Sequence, residues 1–390
     1  MRFLPLVLLL VSFAVKASPL WPVVGSTTLW NADPTTSLVA TADGFAVGRP
    51  NTMLTGIVSI LDPAQPSPVF DLQPAQIGQG AEFGYRVAAS GGLMAVTEAR
   101  RATQFPSSSG IVRTYEQTGG IWMQTGFLQP PAQPTMDLKY GEALAITPDH
   151  LFVAAPGFFV ERGLVYVYAR LAGGVPGWEL EGSVVAYDGE SFDRFGSSVA
   201  ADGEWLVVGA PESERVNESE GAVYLFRQTN GIYVQVQQLS APDPQSYAGF
   251  GSAIAIHGGK LVVGAAGEDD PIVGADAGAV YFYSLVTGQW MLDGRKVASD
   301  SSPSDSFGTS VSILGETACV RSAAAAYVFE RIGSEFTETG KLAPVINTVA
   351  GSCAIGSSVI ATVIFNFSTL RMNVRYYPES ERMLASGFED

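Results

Sequence analysis

Few side chains in this sequence have the type and spacing for chemistry. Two histidines occur, His150 and His257, each at or beside a turn between two strands. A catalytic histidine needs a nucleophile within reach and a third group to orient it. The sequence identifies neither, and turns are exposed and polar, so both read as solvated turn residues. No zinc-ligand spacing, P-loop or dinucleotide fingerprint is present, and no cofactor is expected.

Carboxylates are more abundant. Glu268, Asp269, Asp270 and Asp276 crowd one connection, and Glu212, Glu214, Glu218 and Glu220 crowd another. Hard cations gather several converging oxygens, so the first four are candidate metal ligands. Their spacing matches no calcium loop, and the glutamates alternate as on a solvated strand. A solvated loop is the competing reading, and no metal is expected. Paired carboxylates also hydrolyse glycosides, but nothing here sets their separation. Arg100, Arg101, Phe158, Phe159, Glu161 and Arg162 have the composition of an interaction surface. Packing of Phe158 and Phe159 within their own loop is the alternative.

A repeat holds these residues in place. Phe195-Gly196-Ser197-Ser198 is followed by Trp205-Leu206-Val207-Val208-Gly209-Ala210-Pro211 and by Gly221-Ala222-Val223-Tyr224-Leu225-Phe226. All three pieces recur at Phe250-Gly251, Leu261 to Ala266 and Gly278 to Tyr283. Tyr140-Gly141, Val153 to Pro156 and Gly163 to Tyr168 form the preceding unit, and Phe83-Gly84 and Phe307-Gly308 open two more. Degenerate units open near Thr36 and Ala350, which makes seven.

Each unit reads as four strands. The first carries small residues, as crowding near a propeller axis requires. The second and third are almost wholly apolar, as strands covered on both faces are. The fourth alternates, as in Tyr233 to Gln237, which marks a half-exposed outer strand. It also bears an aromatic four residues before a glycine: Trp122/Gly126, Trp178/Gly182, Trp290/Gly294 and Phe336/Gly340. The same mark stands at Trp21/Gly25, ahead of the first unit, while the seventh unit has only three strands. Trp21 to Trp30 is therefore predicted to supply the missing outer strand beside Arg371 to Tyr377. The expected fold is all-β, a seven-bladed β-propeller of four-stranded blades closed by the N-terminal strand.

Glycine (43) and proline (23) are too frequent for a helical bundle and suit many short strands with tight turns. Arg2 and the short apolar run Leu4 to Val15 read as a signal peptide over residues 1–17. The propeller is expected over 18–377 and a polar tail over 378–390. No other stretch is apolar enough to span a membrane. The net charge of −16 argues against nucleic acid and anionic membrane surfaces as partners. The chain is expected to be a monomer. Its two cysteines, Cys319 and Cys353, fall on inner strands of adjacent units and can pair in an oxidising compartment. Free thiols buried in the core are the alternative.

The Phe-Gly, Gly-Ala-Pro and Gly-x-Val-Tyr-x-Phe pieces, recurring in register, resemble FG-GAP repeats, the units of the integrin α-subunit propeller and of many exported bacterial proteins. Some integrin repeats carry an Asp-rich calcium loop between the first two strands. Here that link is a bare turn such as Ala201-Asp202-Gly203-Glu204, so the chain resembles the short, calcium-free variant. The resemblance implies a secreted or envelope location and an adhesion-like or scaffolding role, and it gives no ligand. With no catalytic constellation in the sequence, the leading expectation is a non-catalytic protein that binds a protein or glycan. An extracellular propeller hydrolase or lyase, with carboxylates at the axial mouth, is the alternative.

Overall fold

A computed structural model describes residues 25–30, 37–50, 55–65, 67–74, 81–100, 110–131, 137–214, 216–342, 348–356, 359–366 and 371–378. Residues 1–17, read above as a signal peptide, and the tail beyond Pro378 lie outside them. The described strands form seven four-stranded antiparallel sheets. Blade four shows the plan, with Ser198–Asp202 innermost, then Trp205–Ala210 and Ala222–Thr229, and Ile232–Leu239 outermost. Trp205–Ala210 is buried throughout, whereas Ile232–Leu239 is mostly half-buried, with Ile232, Val236 and Gln238 exposed. The apolar and alternating patterns thus map onto covered and outer strands.

The core lies between the blades. Each of seven buried clusters draws its residues from two neighbouring sheets. The motif glycines belong to these joints. A Cβ on Gly209 of blade four would sit 2.1 Å from the carbonyl oxygen of Gly251 in blade five, and one on Gly221 would sit 2.2 Å from that of Phe250. Gly264 and Gly278 meet Gly308 and Phe307 of blade six in the same way. Gly251 and Gly308 themselves hold φ of 91° and 98°, where a side chain is strained. At the joints of blades four, five and six, Phe-Gly of one blade therefore docks on the glycines that close the second strand and open the third in the blade before it.

The outer-strand mark also acts across a joint. Trp290 of blade five packs edge-on against Trp205 of blade four, and Phe336 of blade six stacks on Phe282 of blade five. The paired glycine directly follows a bulged residue, since Phe282 faces Gly294 while Tyr283 faces Leu292. The same one-residue slip precedes Gly126, Gly182 and Gly340. A bulge re-aims the strand, turning its aromatic end toward the neighbouring blade.

Blade seven is built from both ends of the chain, as predicted. Gly25–Trp30 pairs antiparallel with Arg371–Pro378, from Gly25 opposite Tyr376 to Trp30 opposite Arg371. Trp21 lies outside the described residues. Cys319 of blade six and Cys353 of blade seven are paired as a disulfide, with Cα atoms 6.3 Å apart. No described helix is long and apolar enough to cross a membrane.

Two expectations need correction. His150 is not a solvated turn residue. It lies in the buried strand His150–Ala155, stacks on Phe152, and meets Tyr233 and Gln228 of blade four. The acidic connections are not uniformly solvated either, because Glu220, Glu268 and Asp270 are buried.

Candidate functional site

Two kinds of connection interlock on one face of the ring. The link between the second and third strands of a blade accepts hydrogen bonds from the link that leads into the next blade. Backbone amides of Phe192, Arg194 and Phe195 donate to carbonyls of Val160, Glu161 and Arg162. Tyr247, Gly249 and Phe250 donate likewise to Glu218, Ser219 and Glu220, and Ser304, Ser306 and Phe307 to Ala275, Asp276 and Ala277. A repeated backbone frame thus supports the loop face.

Buried carboxylates tighten this frame. Glu268 accepts from Tyr281 Oη at 2.7 Å and Arg295 Nε at 2.6 Å. Asp270 accepts from the amides of Ile272 and Val273 and from Arg295. Those amides first, and Arg295 after them, hold the Asp270 carboxyl below the usual carboxylate range. Asp269 accepts from the Asp276 amide, and both residues are exposed. The four candidate metal ligands are thus divided between an arginine-paired pair and a solvated pair. Among the described residues no group of three or more His, Cys, Asp or Glu is arranged to hold a metal ion. In blade four, Glu220 accepts from the amides of Val216 and Asn217. Arg194 bridges Glu161 and Glu212, and Lys139 joins Glu161 from the other side.

The strain on this face separates scaffold from specialisation. Lys139, Arg194 and Ser306, each directly before the opening aromatic of a blade, all have positive φ. Glu161, Ser219 and Asp276, each two residues before a motif glycine, do too. These positions recur and belong to the frame. Val160 (φ 55°) has no such counterpart among the described residues, and at the place of Phe159 (φ 46°) blade five has a glycine, Gly274 (φ 124°). A left-handed β-branched valine is costly, and such strain is characteristically held at functional loops.

Phe158 packs against the cluster between blades two and three, whereas Phe159 is 62 % exposed. The two readings of this pair therefore each hold for one residue. Arg162 is partly buried beside Gly189. The side chain of Arg100 and all of Arg101 lie outside the described residues. Around Phe159, the same face exposes Val160, Phe192, Val216, Tyr247 and Ile272. These form an apolar arc over blades three to five, alongside exposed Glu214, Glu218, Asp269 and Asp276. Sequence reasoning missed the arc because its members are single residues in loops without periodicity.

The axial mouth on this face is lined by first-strand hydroxyls such as Ser197, Ser252 and Thr309, with Arg86 and Arg321. No carboxylate lines it among the described residues. Arg86 donates to the Glu142 carbonyl and carboxylate, and Tyr85 also bonds Glu142. Burial is the main cause that pushes the Tyr85 phenol up to about 12. Both arginines escaped notice in the sequence. Arg321 left a trace there, since it occupies the place of Gly209 and Gly264 in the repeat.

Residues 178–226 and 233–283 match the family model described as FG-GAP repeat. Mouse integrin alpha-2 is 41 % identical over 85 residues, a stretch that covers 20 % of this chain and 7 % of the integrin. The chain thus spans a small part of that relative's length. Among solved structures, the β-propeller domain of Cps50 (Swd1) from Myceliophteria thermophila superposes with a TM-score of 0.56 at 11 % identity, covering 90 % of this chain and 98 % of that one. A putative 6-phosphogluconolactonase from Bacteroides uniformis superposes with a TM-score of 0.52 at 13 % identity, covering 78 % of this chain and 84 % of that one. At such identities both show shared fold alone. With Phe-Gly meeting the glycines of the preceding blade at the joints of blades four, five and six, the chain carries FG-GAP repeats over residues 178–283 within a seven-bladed propeller, and it is similar to integrin alpha-2 over a short stretch.

Proposed function

We propose that this propeller is an exported, non-catalytic binding or scaffold protein that presents its loop face to a protein or glycan. The exposed apolar arc of Phe159, Val160, Phe192, Val216, Tyr247 and Ile272 carries the reading. Ile272 is 93 % exposed at a loop tip, where a polar residue would cost nothing. Aromatic and aliphatic side chains grouped on a rigid frame make the centre of an interface, and the acidic residues beside them suit a basic rim on the partner. Export rests on the N-terminal apolar segment and on the extracellular habit of FG-GAP repeats. Among the described residues, the hydrolase alternative lacks the feature that would favour it, converging carboxylates at the axial mouth.

The test is a triple variant, Phe159→Ser, Val216→Ser and Ile272→Ser, compared with the parent chain in capture from the source's own surface and medium and on a glycan array. The variant's melt should match the parent's to within a few degrees, because these side chains cover no core. The expected result is a ligand retained by the parent and bound at least about tenfold more weakly by the variant, a loss usual for central apolar residues. Equal retention by both would place the binding surface elsewhere.

A further inference from the structure

The ring encloses an axial channel. At the loop-face end it widens into a cavity of about 500 Å³, continuous with one of about 360 Å³ deeper in. The deeper walls are aliphatic, with Ala40, Ala201, Ile256 and Ile313 among them. The upper cavity differs in chemistry. Its rim carries Ser197, Ser252, Thr309 and Ser310 from the starts of first strands, together with Arg86 and Arg321.

Arg321 breaks the repeat. It ends the second strand of blade six, at the position where blades four and five have Gly209 and Gly264. In those blades the glycine docks on the carbonyl of the next Phe-Gly. The position is not confined to glycine, since blades two and three carry Thr97 and Ala154 there, and blade seven has no Phe-Gly to press against it. An arginine stands there and lines the channel.

Among the described residues, the guanidinium of Arg321 has no counter-charge. Its Nε is buried without a hydrogen-bond partner among them. Burial alone pulls its pKa below the ordinary guanidinium value, with no carboxylate to offset it. Arg86, on the same rim, is satisfied by Glu142 and the Tyr85 carbonyl. A partly desolvated, unpaired cation is unfavourable, and an anion that meets it removes the penalty. Arginine's planar fork matches carboxylate, phosphate and sulfate oxygens, and neighbouring hydroxyls can donate to the same group.

We propose that the axial mouth is a binding site for a small oxyanion-bearing molecule, whose carboxylate, phosphate or sulfate group is gripped by Arg321 and completed by the rim hydroxyls. The cavity is larger than a bare ion needs and falls in the range of small-molecule sites. The aliphatic floor and hydroxyl rim accommodate a compact polar body attached to the anionic group. This site stands apart from the apolar arc, and its occupant need not be the partner of that arc.

Inorganic phosphate, sulfate and glucuronate serve as probes, separating free tetrahedral anions from a carboxylate on a sugar. Each is titrated into the full chain by calorimetry and in thermal melts, against chloride of equal ionic strength because phosphate and sulfate stabilise proteins generally. The parent should bind at least one probe and melt higher in its presence than in the matched chloride. Arg321→Gly, which restores the residue of blades four and five, should melt at or above the parent without anion and bind that probe at least about tenfold more weakly. Arg321→Gln serves if the glycine variant does not fold. Stronger response to phosphate or sulfate would assign a free or phosphorylated ligand, and to glucuronate an acidic sugar. No binding by the parent up to about 50 mM of any probe, weaker than any useful site, or equal binding by the variants, would overturn the proposal.

Discussion

Glycine does the work at the residue scale that a larger side chain does in most cores. Gly209 touches the backbone of Gly251 so closely that a Cβ would lie 2.1 Å from its carbonyl oxygen and 2.3 Å from Ser198 Oγ. The Ser198 hydroxyl can rotate away, but the Gly251 carbonyl is backbone and cannot yield without shifting a blade. Gly209→Ala is therefore expected to destabilise the fold by about 3 kcal/mol or more, the upper range for overpacking. Gly203 offers the contrast, because it turns at φ 56° and a Cβ there would have nothing within 4 Å. Gly203→Ala should cost only about 1 kcal/mol, from backbone strain alone. Denaturant midpoints of both variants compare the two, and an equal shift would show that close approach is not what the motif glycine provides. The motif itself was legible because it recurs, but the burial of His150 and Glu268 was not. His150 is covered by Tyr233 from the next blade, and Glu268 is held by Tyr281 and Arg295 from later strands. Such burial depends on partners that no local pattern announces.

Elements were legible where period and register agree. Apolar runs marked the covered strands and alternation marked the outer ones, because the two environments differ along every blade. The aromatic-glycine mark was visible too, although its meaning, a bulge that turns the ring onto the preceding blade, emerges only from the pairing. The same mark near Trp21 led to the closing strand Gly25–Trp30, whose six residues all pair with Arg371 to Tyr376. Without it the strand Arg371–Pro378 would become an open outer edge with unpaired amides and carbonyls. Deleting residues 18–30 is expected to lower the melting temperature and to produce concentration-dependent association, visible by size exclusion with light scattering. A deleted chain that stayed monomeric and melted like the parent would mean that the ring closes without this strand.

The whole molecule is a closed chain of seven joints, so its stability depends on the weakest of them. Five blades open with an aromatic-glycine pair whose glycine has positive φ, namely Gly84, Gly141, Gly196, Gly251 and Gly308. Blade seven has neither Phe-Gly nor Gly-Ala-Pro, and blade six faces it with Arg321 in place of the docking glycine. The joint between them contains Cys319, Val328, Cys353, Ile360 and Tyr377, and the disulfide crosses it. Its closure of 34 residues lowers the entropy of the unfolded chain, a contribution of about 3–4 kcal/mol in the loop-closure account. The covalent link thus stands where the repeat's own docking device is missing. Alkylation of the denatured, unreduced protein should leave both cysteines unlabelled by mass spectrometry. Reduction, or Cys319→Ala with Cys353→Ala, should lower the denaturant midpoint and make blade seven the first region cut in limited proteolysis, because that joint opens before the others. Two labelled thiols before reduction, or an unchanged midpoint and cleavage pattern in the double variant, would show that apolar packing alone holds the ring shut.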